Sequence, residues 1–310
     1  MRIVVVDPSR VVLKSICRLL TDGRHEVRPF VDGREALAHI KADPDVDVLI
    51  TSTEPASISG LELCWETRLL AARDRPIHII LMSSNYDRAH LIEALDSGAD
   101  DFIGKPPAAQ ELYARLRSAE RLTAMQRELI ALATTDPLTG VLNRRAFFER
   151  AQAACARANP GVLCAVMFDV DHFKRVNDGH GHDVGDQALR ELAHEVARHC
   201  RIVGRLGGEE FAILLEGANQ PPAIALAELL RVAVSLLRIE TASGPLTLTC
   251  SFGVSEWGVN HSLDQLLKRA DLALYEAKHA GRNRVVAADA TRRQDGDARP
   301  RSVIPAVARG

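Results

Sequence analysis

Two adjacent glycines precede two adjacent glutamates at Gly207-Gly208-Glu209-Glu210-Phe211, between Val203 and the apolar run Ala212-Ile213-Leu214-Leu215. Apolar residues on both sides predict two strands, and the glycine pair predicts a tight hairpin between them. Neighbouring carboxylates at such a tip repel unless a positive group stands between them, and a divalent cation meets that need. Without Cβ atoms the turn lets a phosphate-bearing ligand approach the backbone. Taken alone, the string reads more readily as a solvated hairpin tip than as a site. Its neighbours decide the matter.

Asp169 follows the apolar run at 162–168, so it belongs at a strand end. One strand-end carboxylate with the hairpin carboxylates makes an oxygen site for Mg²⁺, an ion that keeps waters and takes substrate phosphates. Alone, Asp169 is a turn or helix-capping aspartate. The next segment crowds together Lys174, Asn177, His180, His182, Asp183 and Asp186, with Asp186 where a helix N-cap belongs, before Gln187-Ala188-Leu189. An Asn and an Asp together can read a guanine edge, the Asp accepting from the ring N–H and the amino group. Lys278 and Arg282 lie four apart, predicting one helical face that holds a polyphosphate. The alternative there is a solvated basic face.

The elements that must carry these residues fall into two halves. Short apolar runs at 3–6, 48–50 and 77–82 read as buried parallel strands, and 11–20 and 61–70 space their apolar residues as helices do. This βαβ alternation predicts a doubly wound sheet with its functional groups at the carboxyl ends of the strands. Residues 108–134 read as one long helix without Gly or Pro. Leu122, Met125, Leu129 and Leu132 recur at 3-4-3 spacing, as do Leu112, Leu116 and Ala119 before them. That pattern predicts a short coiled-coil joint between two copies of the chain, or an amphipathic helix packed on its own domain. The second half mixes strands (162–168, 211–215, 246–254) with helices (187–199, 263–280). Residues 289–310 carry Arg, Asp and Pro with little to bury, so the reading there is a disordered tail.

The 310 residues, 46% hydrophobic and 26% charged, describe an ordinary two-domain globular protein. A net charge of -2 gives no general reason to expect nucleic acid or an anionic membrane as partner. No apolar run approaches the roughly 20 residues of a membrane span, and Asp7 comes too early for a secretory signal. The six scattered cysteines have no paired metal-type spacing and read as reduced and buried, so a cytoplasmic location is expected.

The ordered motifs carry a resemblance. Residues 135–288 resemble a GGDEF domain, the catalytic module of diguanylate cyclases. The match begins at Asp136-Pro137-Leu138-Thr139-Gly140-Val141-Leu142-Asn143-Arg144 and continues through Phe168-Asp169-Val170-Asp171-His172-Phe173-Lys174. It passes through Gly181-His182-Asp183-Val184-Gly185-Asp186 and the hairpin, and ends with Ala270-Asp271, Tyr275, Ala277-Lys278 and Gly281-Arg282-Asn283. The resemblance implies a ferredoxin-like α/β domain of the nucleotidyl-cyclase type. It implies Mg²⁺ (or Mn²⁺) held by Asp169, the Val170 carbonyl and Glu210, with Glu209 near metal and nucleophile. It also implies guanine read by Asn177 and Asp186 with His182 nearby, and phosphates contacted by Lys174, Lys278 and Arg282. The reaction it implies joins two GTP into cyclic di-GMP across a homodimer with one GTP per domain, Lys174 stabilising the transition state and Glu209 acting as general base. The helix at 108–134 would then transmit control of dimer geometry.

Residues 1–118 resemble a flavodoxin-like response-regulator receiver through Asp7, Ser83, Gly98-Ala99-Asp100-Asp101-Phe102 and Lys105-Pro106. Two departures stand out. Pro8 replaces a second metal-binding acid, and the phosphoacceptor position falls on Ser52 counting from Gly60, or on Thr51 counting from Pro55. Neither forms an acyl phosphate. Asp47 lies five residues back, roughly 16 Å along a strand, too far to substitute. Before the hairpin, the family's product-inhibition motif Arg-x-x-Asp reads Arg198-His199-Cys200-Arg201, and a donor-only Arg201 cannot accept from guanine. The resemblance thus implies an active cyclase with weak product inhibition, its degenerate receiver serving dimerisation or a protein partner. A non-catalytic GTP-binding scaffold and a phosphorylation-switched regulator are the competing readings.

Overall fold

A computed structural model of the chain describes residues 1–55, 57–71, 75–84, 88–241, 244–259 and 262–288. The expected disordered tail lies outside them. The chain divides into two compact units, Met1–Ala133 and Thr134–Gly310.

In the first unit strands and helices alternate: β1 (Arg2–Val6), α1 (Arg10–Asp22), β2 (Glu26–Phe30), α2 (Gly33–Ala42), β3 (Val48–Ser52), α3 (Gly60–Leu70), β4 (His78–Ser83), α4 (Arg88–Asp96), β5 (Asp101–Gly104) and α5 (Ala109–Thr134). The strands pair in parallel in the order β2-β1-β3-β4-β5, the doubly wound sheet that the alternation predicts. Helices cover both faces, so β3 and β4 are buried at every position and read as unbroken apolar runs. Ile3, Val5, Ile50 and Ile80 pack toward α1 and the start of α5, whereas Val4, Val6, Leu49 and Leu81 pack toward α2 and α3. Ser9, Asp32 and Ser59 cap the first three helices by accepting from backbone N–H groups. The sequence reading passed over β2, which is half exposed and contains Pro29. Proline is tolerated there because the strand is an edge, paired only with β1.

Helix α5 resolves into two parts. Leu112, Leu116 and Ala119 are buried in the core of this unit, so the first half is an amphipathic helix on its own domain. Leu122, Met125, Leu129 and Leu132 are exposed by 47–73%.

The second unit runs α6 (Arg144–Arg157), β6 (Leu163–Val170), α7 (Phe173–His180), α8 (His182–Ala197), β7 (Ile202–Gly207), β8 (Glu210–Glu216), α9 (Gln220–Leu236), β9 (Cys250–Glu256), α10 (Leu263–His279) and β10 (Val285–Ala287). Its sheet order is β10-β9-β6-β8-β7, with β6 antiparallel to both β8 and β9 and β10 parallel to β9. Setting β10 aside, the order is fourth, first, third, second, which is the ferredoxin-like arrangement. The central strand β6 is buried at all eight positions. Phe168 stacks on its register partners Phe211 and Phe252, with centroids 5.2 and 5.1 Å away. On the other face Ala165, Met167, Ala212 and Leu214 pack toward α6 and α10.

Gly253 in β9 fixes how closely α10 lies on that face. A Cβ there would stand 2.1 Å from the Ala270 carbonyl oxygen and 2.2 Å from the Leu274 nitrogen, both rigid backbone of α10. Gly253→Ala is expected to destabilise the second unit by about 3 kcal/mol, read as a lower Tm in thermal unfolding; an unchanged Tm would refute this account of the packing.

Candidate functional site

The buried apolar length of β6 carries Asp169 to the open end of the sheet, where the residue is 5% exposed. The register sets Asp169 directly opposite Glu210 on β8 and Ser251 on β9. Residues directly opposite share a face, so the two carboxylates converge. Glu209 sits beside them in the two-residue loop Gly208-Glu209, whose first residue has φ 52°, a left-handed value that glycine adopts without strain.

A brace holds this turn. The Arg205 Nε donates to the Gly208 carbonyl at 2.8 Å, and its second nitrogen donates to Asp136 Oδ1 at 3.0 Å. Asp136 also accepts from the Thr139 amide and hydroxyl, and these bonds hold its carboxyl below the usual range against the opposing effect of burial. Sequence reasoning named Asp136 only as part of a motif and missed Arg205. Its one local signal is an arginine two positions before the glycine pair.

One ammonium serves the carboxylates. Lys278 Nζ lies 2.8 Å from Asp169 Oδ2. Burial pushes Asp169 up to about 6; Lys278 opposes the rise, and Glu209 and Glu210 add to it. Glu210 and Asp271 are likewise raised, first by loss of solvent, with Lys278 pulling both down. Arg144 also pulls Glu210 down, yet burial outweighs these cations and leaves the acidic end under-neutralised.

That imbalance fits a second cation. Among the described residues no three His, Cys, Asp or Glu groups form ready-made metal-ligand geometry. The expected set of Asp169, Val170, Glu209 and Glu210 is therefore no preformed cage. Mg²⁺ requires none, since one or two carboxylates with waters and substrate phosphates complete its shell.

An open cleft of ≈ 190 Å³ brings together Asp169, Val170, Lys174, Glu209, Lys278 and Arg282. Glu210 stands beside it rather than among its lining residues. Two local expectations need correction. Helix α10 stops at His279, and Gly281 with φ 114° turns the chain, so Arg282 is not on the helical face of Lys278. It reaches the same cleft from a left-handed turn, at φ 63°. Helix α8 begins at His182 with Gly181 as N-cap, so Asp186 lies within the helix instead of capping it.

The expected guanine readers sit on α7 and α8, outside the residues lining that cleft. Asn177 rests against Gly185, where a Cβ would come within 2.0 Å of its Oδ1. This oxygen is buried with no hydrogen-bond partner, an acceptor left free for a donor. His182 is exposed at the start of α8, and Asp186 is half-buried one turn further on.

Arg198 and Arg201 line a separate cleft of ≈ 500 Å³ with Arg150 and His199. Arg198 is paired with Glu195 at 3.0 Å. In the first unit Asp7 is fully buried, paired with Lys105 Nζ at 2.7 Å, and accepts from the Ser9 amide at 2.8 Å. Ser52 and Ser83 end the neighbouring strands β3 and β4 and are buried, the Ser52 hydroxyl without a hydrogen-bond partner. Asp47 precedes β3 at its opposite end, bonded to the Arg2 amide at 2.6 Å and paired with Arg127.

A family model described as "Diguanylate cyclase, GGDEF domain" matches residues 133–284, and one described as "Response regulator receiver domain" matches residues 3–117. Response regulator PleD of Caulobacter vibrioides (strain NA1000 / CB15N) is 33% identical over 300 residues, which are 92% of this chain and 65% of that protein. Diguanylate cyclase DgcM of Escherichia coli (strain K12) is 35% identical over 237 residues, 72% of this chain and 57% of that one. The chain therefore spans less than two thirds of the length of these relatives. The crystal structure of the coiled coil and GGDEF domain of DgcB from Caulobacter crescentus in complex with c-di-GMP matches with a TM-score of 0.51 and 35% identity, covering 57% of this chain and 99% of that one. The chain belongs to the GGDEF family, with a response-regulator receiver domain ahead of its GGDEF domain.

Proposed function

We propose that this chain is a diguanylate cyclase that condenses two GTP into cyclic di-GMP and two pyrophosphates. The observation that carries the reading is the opposition of Asp169 and Glu210 across β6 and β8 with a single ammonium, Lys278, on Asp169. Phosphoryl transfer asks mainly for alignment and charge neutralisation, and this site concentrates both signs at one cleft. In each transfer the 3′-oxygen of one GTP bonds to the α-phosphorus of another while the bond to the β-phosphate oxygen breaks and pyrophosphate leaves. A second transfer in the opposite sense closes the ring.

Asp169, Glu210 and the Val170 carbonyl are the residues to hold Mg²⁺ or Mn²⁺, with Glu209 adjacent. When bound, the ion supplies positive charge at the phosphate and acidifies the attacking hydroxyl. Glu209, in the braced turn, takes the hydroxyl proton. Lys174, Lys278 and Arg282 hold phosphate oxygens, Lys174 as charge builds in the transition state. Asn177 and Asp186 read guanine, the unpartnered Asn177 Oδ1 accepting from the base, with His182 near the same edge.

The cleft supports a half-site. At ≈ 190 Å³ it is smaller than the roughly 300–1,000 Å³ that encloses a drug-sized ligand. One domain then grips part of one nucleotide, and two domains meet about a twofold axis to complete the reaction. The exposed row Leu122, Met125, Leu129 and Leu132 is consistent with a homodimer. In the receiver, Lys105 neutralises Asp7, and Ser52 offers a hydroxyl where a phosphoacceptor needs a carboxylate. Its remaining role is contact with the second copy or with a protein partner.

Three outcomes follow from this reading. Glu210→Gln and Asp169→Asn each reduce cyclic di-GMP formation from GTP and Mg²⁺ by at least about 10²-fold with an unchanged circular dichroism spectrum; near-wild-type product in either would sink the metal assignment. Because Arg201 donates where guanine needs an acceptor, micromolar cyclic di-GMP leaves the initial rate unchanged. Inhibition that disappears in Arg198→Ala would show that the Arg198–Arg201 cleft still binds product. Acetyl phosphate or beryllofluoride leaves the rate within about twofold, whereas a large activation would mean the receiver pocket still accepts a phosphoryl group.

A further inference from the structure

Asp171 lies two residues beyond Asp169, lines the same cleft and is 7% exposed. A carboxylate so placed invites assignment as another metal ligand, yet its oxygens are already engaged. Oδ1 accepts from the Ser251 hydroxyl at 2.7 Å. Oδ2 accepts from the Thr249 hydroxyl at 2.8 Å and from the Asn283 amide at 3.0 Å. The Asp171 amide in turn donates to the Thr249 carbonyl at 2.8 Å. Among the described residues no cationic side chain forms an ion pair with it. It is a buried carboxylate satisfied by neutral donors from two distant segments.

What those bonds secure is unusual backbone. Gly281, Arg282 and Asn283 take φ of 114°, 63° and 44° in succession. Glycine and asparagine enter this region readily, but a long side chain such as arginine does so at a cost. Such a run persists only when its surroundings hold it. Among the described residues its holders include four bonds: the Arg282 amide donates to the Ala277 carbonyl at 3.0 Å, the Asn283 amide donates to Asp171, Asn283 Oδ1 accepts from Arg231 at 3.0 Å, and the Arg282 carbonyl accepts from Arg284 Nε at 3.1 Å. This turn delivers Arg282 to the cleft that Lys278 also lines.

We propose that Asp171 is a positioning residue for substrate binding. It anchors the left-handed turn after α10 so that Arg282 points at the phosphates, and it does not itself ligate metal. The inference rests on the phosphate role given to Arg282 under the proposed function.

The test is a double-mutant cycle on the full chain, with GTP turnover followed by pyrophosphate release. In Asp171→Asn only one terminal atom can still accept, so the three-donor anchor is weakened with little change of shape. Asp171→Asn is expected to raise KM for GTP about tenfold with kcat within about twofold, the split that loss of uniform binding produces. Arg282→Ala should give a similar rise, and the double variant should be no worse than Arg282→Ala alone, because the two act through one contact. Mn²⁺ binding, read by electron paramagnetic resonance without GTP, should match wild type in Asp171→Asn. Should Asp171→Asn fail to fold, Thr249→Val with Ser251→Ala loosens the same carboxylate and should shift KM in the same direction by a smaller factor. Weakened Mn²⁺ binding, a fall in kcat at constant KM, unchanged KM in the Thr249/Ser251 variant, or multiplying effects in the double variant would each overturn the proposal. If Arg282→Ala alone keeps wild-type KM, the phosphate role of Arg282 is what fails, a result separable from any effect at Asp171.

Discussion

Opposing Asp169 to Glu210 across an antiparallel pair is the constraint from which the second unit follows. Like charges directly opposite on one face disfavour that register, and burial makes it worse, as the raised Asp169 shows. Hydrophobic packing holds the register regardless. Phe168, Phe211 and Phe252 stack in one row immediately behind the acids, and all eight residues of β6 are buried. A slip of one residue would send that row to the opposite face. The acids are therefore held by the core rather than by their own preference, and the unrelieved negative charge is available for binding.

The remaining parts answer to that charge. Gly253 brings α10 close enough for Lys278 to reach Asp169, and Gly281 ends α10 so that Arg282 returns to the same place. Arg205 locks the Gly208 carbonyl, restricting the turn on which Glu209 stands. Each device spends local regularity on geometry: an absent Cβ, a broken helix, a left-handed arginine. Such departures from local preference mark functional positions.

Much of this was legible in the sequence because it depends on short-range pattern. Fully buried strands β3, β4 and β6 read as unbroken apolar runs, and Gly-Gly flanked by such runs reads as a hairpin. What failed was contact between distant segments and the exact ends of helices. Edge strand β2 has too little burial to produce a pattern. The start of α8 was misplaced because a glycine with φ 85° precedes it while Asp186, the acid of capping type, lies inside. Four-residue spacing put Arg282 on α10, although Gly281 carried the opposite signal. The Arg205–Asp136 brace spans 69 positions and the Asp171–Asn283 bond spans 112, so neither leaves a local trace.

Both units place the same chemical pair at the end of an inner strand, and they differ in stoichiometry. Lys105 meets Asp7 at 2.7 Å, and Lys278 meets Asp169 at 2.8 Å. In the receiver, one ammonium faces one fully buried acid. That pair is complete: withdrawing either member would strand a buried charge, at a cost of about 3–5 kcal/mol. In the GGDEF domain Lys278 acts on Asp169, Glu210 and Asp271 together, with Arg144 adding to its pull on Glu210, and burial still shifts all three toward protonation. On the proposed function, Lys278 would move from carboxylate to phosphate and leave acids for a divalent ion to neutralise. A closed ion pair resists exchange, and an overcommitted one invites it; the difference between the two pockets is how many buried carboxylates draw on each lysine.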